Sequence, residues 1–228
     1  MTLKKKPRLS AEERAALTSL YDDGIRHVDA GLERIFRRLE EGGWLANTLV
    51  VVTSDHGESL AQRGNKLTGH GGPWQEGVRV PLIVRLPDRA RAGERLAEPT
   101  HLIDVPQTVL DFTGLGIDPE LPGHSLLRPL PAVRILAGGD HPAEFYVRWP
   151  EKALRYNDLF GVFDLEQDPG ELAPRELSAA DFQALRQELG EQGLRTFAPI
   201  PAAELTPEER SELSALGYGG VVDEDEDH

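Results

Sequence analysis

An aspartate and a histidine stand next to each other at the end of a short apolar run, where they could hold a metal ion. Residues 47–54 are rich in valine and threonine, Asp55 and His56 follow them, and Gly57 comes next. Ligands of open α/β sheets bind at the carboxyl ends of strands, and a carboxylate oxygen and a neutral imidazole can both face one divalent cation. The alternative is a polar strand end at which Asp55 and Gly57 form a turn. The spacing leaves both interpretations open.

A histidine between glycines follows in an irregular, glycine-rich segment. His70 comes fourteen residues after His56. Its glycine neighbours let the backbone approach a ligand closely, and the imidazole could donate to an oxyanion. Lys66 is a weaker candidate for the same anion, and Arg79 is a fixed cation that could hold the loop through Glu76 or through a carboxylate elsewhere. The alternative is a surface loop with an incidental histidine and a solvated lysine.

The first element that must position these residues is a long amphipathic helix. Ser10 and Glu13 match the capping-box pattern of a helix start, and Gly42-Gly43 is a plausible stop. Apolar residues recur between them at steps of three and four, which predicts a helix over 11–41 whose stripe lies in the core. The stripe consists of Leu17, Leu20, Tyr21, Ile25, Val28, Leu32, Ile35, Phe36 and Leu39.

Two apolar runs and a second helix indicate an α/β sheet. Residues 47–54 and 80–86 lack alternation, which favours strands covered on both faces, and residues 104–112 have the pattern of a helix. The order helix, strand, loop, strand and helix predicts an open α/β sheet, mixed or parallel, with helices on its faces.

The pattern changes near residue 131 to short strands separated by turn residues. We expect an α/β part at 1–130, a small α+β subdomain at 131–200, and a short helix with an acidic tail at 201–228. The last helix begins with a Thr206 cap and Pro207. The subdomain is predicted to contain strands near 133–137, 144–149, 153–156 and 159–164 and a helix near 178–189.

Charge and composition exclude several classes of function. The formal net charge is −14, with 39 acidic and 25 basic residues, so we expect no nucleic-acid partner, because phosphates would be repelled. There is no cysteine, hence no disulfide, thiolate ligand or cysteine nucleophile. No apolar run approaches the roughly 18 residues that cross a bilayer, and residues 1–7 lack the apolar stretch of a secretory signal. The residues do not assign a compartment.

Taken in order, several segments resemble the sulfatase family of the alkaline-phosphatase-like superfamily. The resemblance covers roughly residues 12–220 and is most specific from 47 to 84. It implies that the chain is the C-terminal part of an alkaline-phosphatase-like mixed or parallel sheet with helices on its faces, plus a small α+β C-terminal subdomain. The matching segments include 21–29, Asn47-Thr-Leu-Val-Val-Val-Thr-Ser-Asp-His-Gly57, Gly69-His70-Gly71, Glu76-Gly-Val-Arg-Val-Pro-Leu-Ile-Val84, 101–111, 123–127 and 205–218.

The resemblance also implies an activity and roles for the candidate residues. Members use one divalent cation, usually calcium, and a formylglycine made from cysteine or serine attacks a sulfate or phosphate ester. Asp55 and His56 match the second half of the metal site. His70 matches a position that donates to the substrate anion or the leaving oxygen, and Glu76 and Arg79 match a structural part of the motif. Full-length relatives are often periplasmic or secreted.

The sequence departs from the family pattern at the nucleophile. It has neither a cysteine nor a Ser-x-Pro-x-Arg segment, and its first helix matches a segment from the middle of a complete member. We therefore expect sulfatase-type chemistry in which this chain supplies part of the metal and anion site, a missing N-terminal half supplies the nucleophile, and the isolated chain is inactive. The alternatives are a phosphate or phosphonate ester hydrolase of the same superfamily and a degenerate, non-catalytic binding module.

Overall fold

The chain divides into two compact units, Met1–Arg195 and Thr196–His228. The computed structural model describes residues 9–62, 68–69, 72–132, 134–138, 143–191, 206 and 209. The predicted boundaries near residues 130 and 200 stay predictions.

The second unit is described at Thr206 and Glu209 only. Glu209 Oε2 accepts from the Thr206 amide at 2.8 Å, and Thr206 Oγ1 accepts from the Glu209 amide at 3.3 Å. These reciprocal bonds are the capping box of the predicted last helix, and the rest of that helix lies outside the described residues.

The first helix, α1, spans Ala11–Glu41, as predicted. Ser10 donates its amide to Glu13 Oε2 at 2.6 Å, and the Glu13 amide donates to Ser10 Oγ at 3.1 Å. The expectation that its apolar stripe lies in the core is wrong for this chain, because α1 contains no buried residue. Leu20 is 69% exposed and Val28 60% exposed. The physical reason is that α1 packs mainly on a 3-10 helix, Trp44–Asn47, and on a short strand, and the part of the chain that the structure describes leaves the stripe uncovered.

The two apolar runs form strands β1, Val50–Thr53, and β4, Leu82–Arg85, which pair antiparallel. The pairing agrees with a mixed sheet rather than an all-parallel one. Both strands are partly exposed, and Ile83 is 60% exposed, so the predicted cover on both faces is absent from the described residues. Between them, β2, Ser59–Leu60, pairs with β3, Thr68–Gly69. A short helix, α2, spans Gln75–Val78.

Helix α3 spans Asp104–Phe112, as predicted, and is fixed by a buried ion pair at its first residue. Asp104 accepts from the amides of His101 and His124, each at 2.8 Å. Arg134 donates to both carboxylate oxygens, at 2.9 and 2.7 Å. Gly123 has φ of +91°, and a side chain there would lie 2.2 Å from the Ile103 carbonyl oxygen. The loop after α3 is therefore held tightly against the start of the helix.

A five-stranded antiparallel sheet forms the C-terminal part of the first unit, where the sequence predicts short strands. Its order is β5-β6-β7-β8-β9. Helix α4, Ala179–Glu191, follows it. The strands are β5 Ile135–Gly138, β6 Ala143–Arg148, β7 Glu151–Tyr156, β8 Leu159–Asp164 and β9 Arg175–Glu176.

The two faces of this sheet cover different parts of the chain. One face packs on α4, where Tyr146 and Ala153 contact Phe182 and Leu189. The opposite face packs on the segment before α2, where Trp74 joins a cluster with strand residues. The strand members of that cluster are Phe145, Val147, Leu154 and Phe163, with Leu165 beside them.

The helices of the described residues include none with the length and apolar character that a membrane span requires.

We expect Arg134→Met to destabilise the first unit strongly, because it leaves the Asp104 carboxylate buried without its cation. Loss of one partner of a buried ion pair typically costs about 3–5 kcal/mol. The side chains of Arg134 and Asp104 are 5% and 0% exposed. Urea unfolding followed by circular dichroism measures the change.

The matched control is Arg128→Met, which removes the Arg128–Asp111 pair. That pair joins the same helix to the same loop, but the Arg128 side chain is 58% exposed, so solvent screens the pair and its loss should be much smaller. Equal losses in the two variants would contradict the argument from burial.

Candidate functional site

The end of β1 presents an ionised carboxylate to solvent. The Asp55 side chain is 72% exposed, and its Oδ1 accepts from the His56 amide at 2.9 Å. This hydrogen bond lowers the pKa of Asp55 below its ordinary value, because it stabilises the charged form. Ser54 Oγ donates to the His56 carbonyl oxygen at 2.7 Å and closes the turn. Asp55 is therefore negatively charged at neutral pH.

The neighbouring histidine is held in one tautomer by the backbone carbonyl of the next residue. His56 Nδ1 lies 2.8 Å from the Gly57 carbonyl oxygen. A carbonyl oxygen can only accept, so in neutral His56 Nδ1 carries the hydrogen and Nε2 has the lone pair. Nε2 lies 3.6 Å from Asp55 Oδ2. Metal-binding histidines usually donate their other ring N–H to a carbonyl or carboxylate in this way.

A close backbone contact joins this turn to α2. The Gly57 amide donates to the Gly77 carbonyl oxygen at 2.8 Å. A Cβ atom at Gly57 would lie 2.1 Å from the Glu76 carbonyl oxygen, so glycine is required by the approach of the two segments. Thr53 Oγ1 also donates to the Pro81 carbonyl oxygen at 2.8 Å. The Asp-His turn and the 75–79 segment therefore lie side by side.

Two backbone hydrogen bonds hold α2 in its helical turn. The Val78 amide donates to the Trp74 carbonyl oxygen at 3.0 Å, and the Arg79 amide donates to the Gln75 carbonyl oxygen at 2.9 Å. The Arg79 side chain is exposed and forms no ion pair with a carboxylate in the described ranges. A supporting role for Glu76 and Arg79 stays a prediction.

The two predicted anion-binding residues, His70 and Lys66, lie outside the described residues. The positions that flank His70 are described at Gly69 and Gly72, with φ of +102° and +86°. Both are left-handed conformations that favour glycine.

Asp55 and His56 fit part of a divalent-cation site. The carboxylate oxygen suits a hard cation such as calcium, and the imidazole nitrogen also suits transition metals. Among the described residues no group of three or more histidine, aspartate or glutamate side chains could hold a metal ion. The pair can therefore supply two ligands of a site that needs more.

A buried ion pair lies beside the site and was not predicted from the sequence. Lys152 Nζ lies 2.6 Å from Glu171 Oε1, and both side chains are 0% exposed. Lys152 also donates to the Pro73 carbonyl oxygen, and Glu171 Oε2 accepts from the Gln75 amide at 2.6 Å. A signal for Lys152 was available, since it stands two residues before Leu154 and so shares that residue's face of the strand. Glu171 follows the Asp168-Pro-Gly170 turn without a sequence signal for burial.

Comparison with known proteins gives matches to sulfatases. A family model described as Sulfatase matches residues 2–115, half of the chain. Steryl-sulfatase of Mus musculus is 36% identical over 140 residues, which cover 57% of this chain and 22% of the mouse protein. N-acetylglucosamine-6-O-sulfatase of Bacteroides thetaiotaomicron is 34% identical over 170 residues, covering 64% of this chain and 29% of that protein.

A solved structure shows the same fold. Phosphonate monoester hydrolase from Silicibacter pomeroyi superposes with a TM-score of 0.57 at 22% identity, covering 80% of this chain and 42% of that one. This chain thus spans less than half of that protein and less than a third of either sulfatase. The family match, with the fold that accompanies it, carries the assignment: the chain belongs to the sulfatase family.

Proposed function

We propose that this chain supplies the cation-binding and anion-binding part of an active site that hydrolyses sulfate esters. The observation that supports this most directly is the hydrogen bond from Gly57 to Gly77. It puts the Asp-His turn beside the segment that follows the predicted anion loop. In this proposal His70 and Lys66 bind the anionic group of the ester, and Glu76 with Arg79 supports their loop.

Asp55 and His56 would hold the cation, calcium by family resemblance. Hydrogen bonding keeps the pKa of Asp55 low, so the carboxylate is ready to bind. The Gly57 carbonyl orients His56 so that Nε2 is the ligating atom. When bound, the cation would neutralise charge on the ester oxygens. Calcium takes about six to eight oxygen ligands, so two residues alone should bind it weakly.

The nucleophile would come from a partner segment, the N-terminal half of a sulfatase domain. The sequence contains no cysteine and no Ser-x-Pro-x-Arg motif. The exposed apolar stripe of α1 gives that segment a surface to cover, since burying it would remove apolar area from water. A nucleophile motif in the DNA immediately upstream, in any reading frame, supports this proposal, and its absence from a complete genome would contradict it.

The ester itself is proposed as a sulfate ester, with a phosphate or phosphonate ester as the alternative. The name of the Bacteroides relative makes a 6-O-sulfated N-acetylglucosamine a suitable first substrate. Inorganic sulfate and inorganic phosphate, titrated in competition, distinguish the two kinds of ester. A folded chain that binds no cation, and for which no upstream nucleophile half exists, would fit the degenerate, non-catalytic binding module, with or without weak anion binding at His70.

We expect the chain to bind calcium with a Kd on the order of 1 mM, in the range of weak extracellular sites, and Asp55→Ala to abolish the binding. Removal of the carboxylate takes away the only charged ligand of the pair. Isothermal titration calorimetry measures both proteins. Asp158→Ala, in the exposed turn after β7, is the control and should bind like wild type. Undiminished binding by Asp55→Ala would exclude the turn as the calcium site.

We expect Gly57→Ala to weaken calcium binding and to destabilise the chain by about 1–3 kcal/mol, the usual cost of overpacking. The added methyl would meet the Glu76 carbonyl oxygen and push α2 away from the turn. Calorimetry and urea unfolding measure the two effects.

Gly24→Ala is the matched control for this substitution. Its new methyl has nothing within 4 Å, and alanine in a helix interior is favoured over glycine by up to about 1 kcal/mol. This variant should be slightly more stable and should bind calcium normally. If Gly57→Ala behaved in the same way, the close approach would have no role in the site.

A further inference from the structure

We propose that Lys152 and Glu171 are positioning residues that fix residues 73–75, the segment before α2, and thereby hold α2 beside the Asp-His turn. This inference rests on the proposed function only where it concerns anion binding by the predicted loop. The contacts of Lys152 and Glu171 do not depend on that function. Both residues belong to the C-terminal sheet and its connections, outside the predicted metal and anion site.

Lys152 reaches the loop from the apolar face of the sheet. It lies on β7, on the same face as Leu154, and its Nζ is 4.8 Å from the centre of the Phe145 ring. It donates to the Pro73 carbonyl oxygen. An ammonium group on an otherwise apolar face is retained only with strong partners, and the backbone of the loop supplies one of them.

Glu171 holds the next part of the same segment. Its backbone is fixed in a left-handed conformation, φ +51°, and its amide donates to the Asp168 carbonyl oxygen at 3.0 Å. The Asp168 carboxylate accepts from the amides of Leu172 and Ala173 at 3.0 and 2.8 Å. From this rigid turn, Glu171 Oε2 accepts from the Gln75 amide.

Lys152 and Glu171 therefore hydrogen-bond to the segment at Pro73 and at Gln75, on both sides of Trp74. Trp74 packs edge-on against Phe163, with ring centres 5.8 Å apart. This apolar contact is not directional. The hydrogen bonds to one carbonyl and one amide are directional, so they fix where the segment lies on the sheet.

A short series of backbone hydrogen bonds connects the segment held by Lys152 and Glu171 to the Asp-His turn. The Trp74 carbonyl oxygen accepts from the amides of Gly77 and Val78 at 2.9 and 3.0 Å. Gly77 then accepts from Gly57. A shift of the Trp74 backbone should therefore appear at the Gly57 amide.

The test separates positioning from stability by replacing both charges together. Removal of one partner leaves a buried charge, whereas apolar replacement of both is often close to neutral. The variant is Lys152→Met with Glu171→Met in the full chain. Circular dichroism should show a melting temperature near that of wild type. Hydrogen exchange by NMR should be about tenfold faster at Gln75, as expected for a lost hydrogen bond to a charged group. Exchange at Gly57 should also be faster, because its acceptor Gly77 is held by the backbone of Trp74. The Kd for inorganic sulfate should rise by at least a similar factor.

The matched control is Arg175→Met with Glu151→Met, which removes an ion pair on the same sheet. Its side chains are 68% and 59% exposed, and neither contacts the loop in the described structure. Exchange at Gln75 and Gly57 should stay at the wild-type rate. A single Glu171→Gln variant should melt well below the double methionine variant, because Lys152 keeps its charge.

Unchanged exchange at Gly57 in a folded double methionine variant would overturn the positioning role. Unchanged sulfate affinity despite faster exchange would overturn it as well, because the loop position would then not matter to the anion. If wild-type protein binds no sulfate, the proposed anion site fails on its own, and the Gly57 exchange rate alone decides whether the pair positions the loop. A double variant that does not fold would also overturn the proposal, since the pair would then be needed for the fold itself.

Discussion

The hydrogen bond between Gly57 and Gly77 is the constraint on which the arrangement of the site depends. It closes residues 57–77 into a loop whose two ends lie at hydrogen-bonding distance. On one side the ends are fixed by the β1–β4 register, in which Thr53 pairs with Leu82. The predicted anion-binding residues all fall inside this loop, and the predicted metal ligands lie just before it. The backbone hydrogen bond and the strand register together hold the two ends of the loop in place.

The C-terminal sheet gives this loop a surface to pack on, and the two faces of the sheet make different kinds of contact. One face builds an ordinary apolar contact with α4. The other combines apolar packing of Trp74 with the buried pair of Lys152 and Glu171. Burying two charges costs several kcal/mol of desolvation for each ion. In exchange, the two charged groups form directional hydrogen bonds to one carbonyl and one amide of the loop. Apolar side chains of the same size would fill the space without fixing either.

The helices α1 and α3 were predictable from local signals, whereas the strand pairing and the buried contacts depend on residues far apart in the chain. The capping box at Ser10 and the pattern of 104–112 predicted α1 and α3 to the residue, because caps and periodicity act within a few turns. The strand direction of β1 and β4 could not follow from apolar runs, which look alike in either orientation. The apolar stripe of α1 was expected to lie in the core. Periodicity shows that one face of a helix is apolar, but it does not show which part of the protein covers that face. Lys152 was missed for a related reason: its partners lie 79 residues away at Pro73 and in a turn beyond the strand.

The sequence separation of these contacts has a consequence for the order in which the site can mature. The loop at Pro73–Gln75 leaves the ribosome before the residues that hold it, and Glu171 follows Gln75 by 96 residues. At a synthesis rate of about 5–20 residues per second, Glu171 is added roughly 5–20 s after the loop. During that interval the segment at Pro73–Gln75 lacks both of its buried partners. A polypeptide that is released before Glu171 is added would therefore carry the Asp-His turn without the contacts that hold this segment on the C-terminal sheet.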